Sequence, residues 1–184
     1  METYKLIRSD RRTLSMELSP EGDLILRAPR RMPLRLIEQF IASHEKWIAK
    51  HREKIRRRAE FDEAHFSDEV QIQSLITRAK AILPEKTEYW AKIMGVTPTG
   101  VRITRAKKRF GSCSPENRIA YSYRLMAYPE EAIDYVVVHE LCHRKEMNHS
   151  NAFWAEVARV VPDYREKERW LKENGPLLQR RLGN

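Results

Sequence analysis

The chain has 184 residues, with 41% hydrophobic side chains, two cysteines and a formal net charge of +9. This length and apolar content exclude general disorder and fit one folded domain, or one domain with an appended module. Two cysteines exclude a disulfide framework, and no signal-peptide pattern or bilayer-length apolar run is found, so we expect a cytoplasmic protein.

The first predicted elements are strands followed by a helix. Polar and apolar residues alternate over residues 4–8, 13–18 and 24–28, which is typical of strands. Pro33 then begins a predicted helix that continues to about Arg58. Residues 1–60 are therefore predicted to form a module with a β-hairpin and a helix.

The second part of the chain, residues 61–184, alternates helices with short strands. A helix is predicted over residues 68–94, with Pro84 expected to kink or break it and Gly95 to end it. The elements predicted after it are a strand at 101–106, a loop at 111–115, a strand at Arg118–Leu125, a helix from Pro129, a helix capped by Ser150 and a last helix ended by Gly175. The second part of the chain is therefore predicted to mix short strands with helices.

The helix that begins at Pro129 carries His139-Glu140-Leu141-Cys142-His143. On a helix the two histidines lie about 40° apart and one turn apart, so both imidazoles can bind one metal ion. On a strand they would be about 13 Å apart, which is too far to share a zinc ion. Glu140 points about 80° from the histidine pair, where a carboxylate can act as general base on a water molecule.

A catalytic zinc site needs a third protein ligand, and His149 is the best candidate. On a continuous helix His149 would lie about 240° from His143, so the helix must end between Arg144 and Asn148. Asn148 could adopt the left-handed conformation that such a turn needs. Glu166 and Glu156 are the alternative third ligands.

The two cysteines have weaker claims to a role. Cys142 flanks the histidine pair opposite Glu140, so a thiolate ligand is geometrically possible, but we favour a small packed residue. Cys113 could approach the cleft as a redox-sensitive or inhibitory thiol, although a loop cysteine without a special role is the simpler interpretation.

Basic residues form two clusters, one on the predicted helix over Lys46–Arg58 and one over Arg102–Arg109. Such clusters can bind nucleic acid, but charged runs are more often solvated surface.

Several stretches together have the pattern of a known family. They are Arg109–Ser114, Arg118-Ile119, Ile133–His143, Asn148–Ser150 and Phe153-Trp154, with Arg8–Arg12 and Trp47-Ile48. With them the chain resembles the YgjP-like metallopeptidase family, which is related to SprT-like and other minimal zincin proteases. It departs from the family pattern at Phe110, where a Trp is usual, and at Cys142, where a small residue such as Ala is usual.

The resemblance implies a zincin-like α+β fold, Zn²⁺ on His139, His143 and His149, and Glu140 as the catalytic acid and base. It also implies an extended peptide or protein substrate beside an edge strand, which we assign to part of Arg118–Leu125. The candidates for stabilising the oxyanion are Tyr121, Tyr123, Tyr164 and Arg124.

The sequence therefore predicts a zinc metallopeptidase. Two alternatives remain: a nucleic-acid-associated protein or DNA-recruited protease that uses the basic N-terminal helix, and a structural zinc module without catalysis.

Overall fold

The computed structural model describes residues 2–174, and the chain divides into two compact units between Phe61 and Asp62. No helix in this described part is long and apolar enough to cross a membrane. Both units combine a small mixed sheet with helices, so the predicted α+β fold class is confirmed.

The first unit contains a three-stranded sheet. Its strands are β1 (Tyr4–Ser9), β2 (Ser15–Leu18) and β3 (Leu24–Pro29), in the order β1-β3-β2. The central strand β3 is parallel to β1 and antiparallel to β2, so the predicted hairpin is β2–β3. Alternate β3 residues, Leu24, Leu26 and Ala28, are fully buried and form one core with apolar residues of the following helices.

The predicted helix from Pro33 to Arg58 is divided at His44. Helix α1 spans Leu34–Ser43, and α2 spans Glu45–Phe66 across the boundary between the units. The helix is interrupted because His44 leaves the helical conformation and its ring Nδ1 donates to the Phe40 carbonyl at 2.8 Å. That side-chain bond occupies the oxygen to which the His44 backbone N–H would donate in a continuous helix, and this N–H donates to the Ile41 carbonyl at 2.9 Å instead.

The second unit begins with α3 (Glu69–Met94), which remains one helix through Pro84, so of the predicted kink or break the break is wrong. Proline removes one backbone hydrogen bond, but Leu83 and Thr87 on either side of it are buried, and their packing supports the helix across this position. Gly95 ends α3 in the left-handed conformation with φ 65°, as predicted.

The second sheet has strands β4 (Gly100–Thr104), β5 (Gly111–Cys113) and β6 (Arg118–Ser122), in the order β4-β6-β5. Two predictions are wrong here: residues 111–113 form a strand rather than a loop, and β6 is the central strand rather than an edge. The predicted strand to Leu125 stops at Ser122, because the Ser122 side chain caps a 3₁₀ helix over Tyr123–Ala127.

Three further helices complete the second unit: α4 (Glu130–Cys142), α5 (Asn151–Val160) and α6 (Tyr164–Asn174). Helix α4 contacts α3, α5, α6 and β5, so it lies at the centre of the unit. The Ser150 side chain accepts from the Phe153 N–H and caps α5, as predicted. The predicted stop at Gly175 lies outside the described residues.

Candidate metal centre and its cleft

Helix α4 forms despite the β-branched run Val136–Val138. Pro129 has φ −56°, which suits a helix start, and the acidic residues of the first turn suit its positive end. Lys86 on α3 binds Glu130 at 2.7 Å and Asp134 at 2.8 Å, which fixes this turn against α3. These interactions outweigh the strand preference of the valines and place His139 and His143 on one helical face.

The chain turns immediately after α4 and brings in the third histidine. Helix α4 ends at Cys142, earlier than predicted, and the backbone N–H groups of Lys145 and Glu146 both donate to the Cys142 carbonyl. Asn148 does not take the predicted left-handed conformation, since Asn117 is the one described non-glycine residue with positive φ. The direction of the chain is therefore reversed by a tight turn at the end of α4, and not by a left-handed Asn148.

The three histidines form a cluster in which one nitrogen of each ring lies within 4.8 Å of the other two. His139 Nε2 and His149 Nε2 are 3.1 Å apart. Two ligand nitrogens of a tetrahedral zinc ion are separated by about 3.3 Å, because each Zn–N bond is about 2.05 Å long. The alternative third ligands lie elsewhere: Glu166 is exposed, and Glu156 binds Lys145 at 2.7 Å and Arg159 at 2.8 Å.

The chemical state of the cluster suits a metal ion. Burial lowers the pKa of all three imidazoles, and the positive charges of neighbouring rings lower those of His139 and His143 further. The neutral form that binds metals is therefore favoured. His143 Nδ1 donates to the Glu146 carbonyl at 3.1 Å, which leaves its Nε2 free for a ligand bond. His139 Nδ1 is buried without a partner among the described residues.

Phe153 on α5 packs against the whole cluster. Its ring centroid lies 4.9 Å from that of His139, 4.6 Å from that of His143 and 4.7 Å from that of His149. The side chain is fully buried. Phe153 therefore restricts the rotamers of all three imidazoles.

Glu140 lies against the backbone of β5. A methyl group on Gly111 would come within 2.6 Å of Glu140 Oε1, so this approach is open to glycine alone. Burial raises the pKa of the Glu140 carboxyl to about 8, while the Arg109 guanidinium acts in the opposite direction. The sequence pattern predicted a loop at Gly111. A glycine within a short strand can indicate that another group approaches the backbone closely, and this signal was missed.

A cavity of about 690 Å³ opens beside the cluster. Its walls are the chain from Ala106 to Cys113, the α4 face with Glu140, the histidines, Met147 and Leu171. The presence of β5 in this wall places an edge strand next to Glu140.

None of the predicted oxyanion candidates lines this cavity. Tyr121 is buried with its hydroxyl 3.2 Å from that of Thr87, and Arg124 stacks on Phe66 at 3.8 Å. Tyr164 lines a separate cavity with Trp154. The tyrosine in the wall is Tyr135, whose hydroxyl is buried without a partner among the described residues. Its position four residues before His139, on the same helical face, was the signal that we missed.

The two cysteines occupy different environments. Cys142 is fully buried, its pKa is raised to about 12 by burial, and it stands outside the ligand cluster. The structure thus favours the packed residue that we preferred. Cys113 is half-buried in the cavity wall, and burial raises its pKa also, so it is a neutral thiol at neutral pH.

Comparison with known proteins gives the class of this molecule. The YgjP-like metallopeptidase domain model matches residues 12–75 and 69–174, so the protein is a metallopeptidase, a hydrolase of peptide bonds. More particularly, the chain belongs to the YgjP-like metallopeptidase family. Among curated proteins, none matches this sequence significantly.

Two solved structures resemble parts of the chain. The metallopeptidase zymogen abylysin of Pyrococcus abyssi is 28% identical, covers 50% of this chain and 92% of its own, and has a TM-score of 0.46. The metallopeptidase zymogen jannalysin of Methanocaldococcus jannaschii is 17% identical, covers 48% of this chain and 94% of its own, and has a TM-score of 0.41. The class assignment rests on the family match rather than on these partial likenesses.

Proposed function

We propose that the protein is a zinc peptidase in which His139, His143 and His149 hold the metal and Glu140 is the general base. The observation that carries this proposal is the cluster of three imidazoles with one buried carboxylate beside it at the wall of an open cavity. A structural zinc site is closed by four protein ligands, whereas three ligands leave a position for water or substrate. The open cavity therefore supports catalysis over a structural zinc module.

Each residue of the proposed site would have a separate role in peptide hydrolysis. Zinc bound by the three imidazoles would polarise the scissile carbonyl and lower the pKa of water. Glu140 would take a proton from the attacking water and return it to the leaving amine. Its contact with β5 would hold the carboxylate in one orientation during both transfers. The buried Tyr135 hydroxyl is the described tyrosine group best placed to donate to the oxyanion.

An extended peptide would bind along β5 rather than along residues 118–125. Strand β5 is the edge of its sheet, and its three residues line the cavity beside Glu140. Backbone groups on the open side of an edge strand can pair with an added strand.

We further propose that residues 61–184 form the zincin-like catalytic core and residues 1–60 an accessory module in a cytoplasmic protein.

Much of the positive charge on α2 is neutralised, which argues against recruitment to DNA. Arg56 and Arg57 both pair with Glu53, and Arg52 pairs with Glu2 at 2.7 Å. A DNA-stimulated cleavage whose DNA affinity falls steeply with salt would restore that alternative.

The proposal is tested by following metal content and cleavage together. We expect the purified protein to hold one zinc ion per chain, to lose peptide cleavage with a chelator and to regain it with zinc. His149→Ala should lose both metal and cleavage, whereas His51→Ala, which removes a histidine outside the cluster, should keep both. Full metal content in His149→Ala would contradict the assigned ligand set.

A further inference from the structure

Three consecutive cations border the cavity beside the metal centre. Lys107, Lys108 and Arg109 are all exposed and all line the cavity wall. They lie in the basic loop, which we define as residues 106–110, between β4 and β5. The one acidic residue in the same wall is Glu140, which the proposed mechanism already uses.

The basic loop is held at both ends by one residue. The Ser122 hydroxyl donates to the Ala106 carbonyl at 2.6 Å, and the Ser122 backbone N–H donates to the Phe110 carbonyl at 2.7 Å. Phe110 is buried and packs edge-on against Tyr128, with ring centroids 4.9 Å apart. The anchors fix where the loop leaves and rejoins the sheet, so the three cations are confined to the cavity rim.

Lys107 and Lys108 have no ion-pair partner among the described residues, and the charge of Arg109 acts on the buried Glu140 carboxyl. Arg105, just before the loop, binds Glu69 at 2.9 Å, and Lys145 binds Glu156 at 2.7 Å. Glu168, whose charge acts on His149 from α6, is itself paired with Lys172 at 2.6 Å. The two lysines therefore add positive charge to the cavity rim that no described carboxylate pairs with, and charge of one sign in a cleft attracts ligands of the other sign.

We propose that the basic loop selects substrates with acidic side chains close to the scissile bond, so that this peptidase acts on acidic peptide segments. The inference rests on the proposed peptidase function. A bound peptide along β5 would have one of its ends beside the loop, since β5 follows the loop directly in the chain. A Glu or Asp side chain there would pair with Lys107 or Lys108, whereas a Lys or Arg side chain would be repelled.

The test uses the zinc-loaded full chain and matched quenched peptides. A cleavable sequence is first found in a denatured-protein digest, and peptides are then made with Glu, Gln or Lys at each position near the scissile bond. We expect kcat/KM for the best Glu peptide to exceed that of its Gln counterpart by about three- to tenfold, the range for two exposed charge pairs. The preference should shrink as the salt concentration rises.

Variants connect the preference to the loop. Lys107→Gln with Lys108→Gln should reduce the Glu-to-Gln ratio towards one, whereas Lys107→Arg with Lys108→Arg should keep it. The matched control is Arg78→Gln with Lys80→Gln, which removes two exposed cations of α3 that do not line the cavity. Arg109 is left intact because its charge acts on Glu140.

The outcomes separate the inference from the proposed function. Zinc-dependent cleavage with equal kcat/KM on Glu and Gln peptides would overturn the acidic preference and leave the peptidase assignment intact. A preference that persists unchanged in the Lys107→Gln, Lys108→Gln variant would overturn the role of the loop. Failure to cleave any peptide with zinc present would overturn the proposed function and this inference together.

Discussion

The two sheets of this protein have the same topology and different uses. In each, the third strand in sequence is central, parallel to the first and antiparallel to the second. Two arginines of the first sheet are paired with carboxylates: Arg27 with Glu17 at 2.9 Å and Arg30 with Asp10 at 2.6 Å. Around the second sheet, Lys107 and Lys108 of the basic loop have no ion-pair partner among the described residues, and the carboxylate of Glu140 is buried against β5.

The difference between the two sheets shows that the proposed site depends on side chains beside the second sheet. The strand order is common to both units, so it does not by itself make a site. Beside the second sheet, a glycine in β5 admits Glu140, and α4 and its following turn supply three imidazoles, which together form the proposed site. The first sheet instead uses its charges to stabilise its own surface.

Truncating Phe153 should have the largest effect, because it should lower both the stability of the protein and its zinc affinity. Phe153→Ala removes a fully buried ring that contacts all three histidines, so we expect a loss of about 3–5 kcal/mol in unfolding free energy and weaker zinc retention. Chemical denaturation and zinc titration measure the two effects.

The matched control for Phe153→Ala is Leu26→Ala, which truncates a fully buried residue of the first sheet. It should also cost about 2–5 kcal/mol in stability, but it should leave zinc affinity unchanged. Equal zinc affinity in both variants would show that Phe153 does not support the ligands.

A methyl group on β5 should have the next largest effect. Gly111→Ala would force the Glu140 carboxylate away from a contact of 2.6 Å, and we expect kcat/KM to fall about 100-fold with zinc retained. Gly100→Ala is the control in the same sheet, because nothing lies within 4 Å of its added methyl group. Similar cleavage by the two variants would refute the positioning role of Gly111.

The smallest effect is expected from breaking an ion pair of the first sheet. Both partners of the Arg27–Glu17 pair are about half exposed, so Glu17→Gln should lower stability by less than about 1 kcal/mol. Cleavage should not change. A measurable drop in kcat/KM would show that the charges of the first unit also contribute to catalysis.

Sequence patterns predicted the helices better than the strands of the site. The spacing of His139 and His143 and the capping by Ser150 depend on local rules, and both appear in the structure as predicted. Strand order depends on pairing between distant segments, which a single sequence does not encode locally. For this reason we predicted a loop at Gly111 and an edge at β6, and both predictions were wrong.

The environment of a side chain was equally hard to predict. Tyr121 and Tyr135 both lie on apolar segments, but only Tyr135 faces the cavity, because β6 is central and α4 turns its histidine face towards the cleft. Asn148 does not adopt the predicted left-handed conformation, because the bonds to the Cys142 carbonyl already reverse the chain.

We propose that Glu140 acts on water beside a metal ion that it does not bind. The direct measurement is the zinc content and the kcat/KM of Glu140→Gln against those of the unmodified protein, on the same cleavable peptide. Removing a general base costs about 10²–10⁴-fold in rate, so cleavage should fall by that factor while zinc stays at one ion per chain. Undiminished cleavage, or loss of the metal together with activity, would contradict this account.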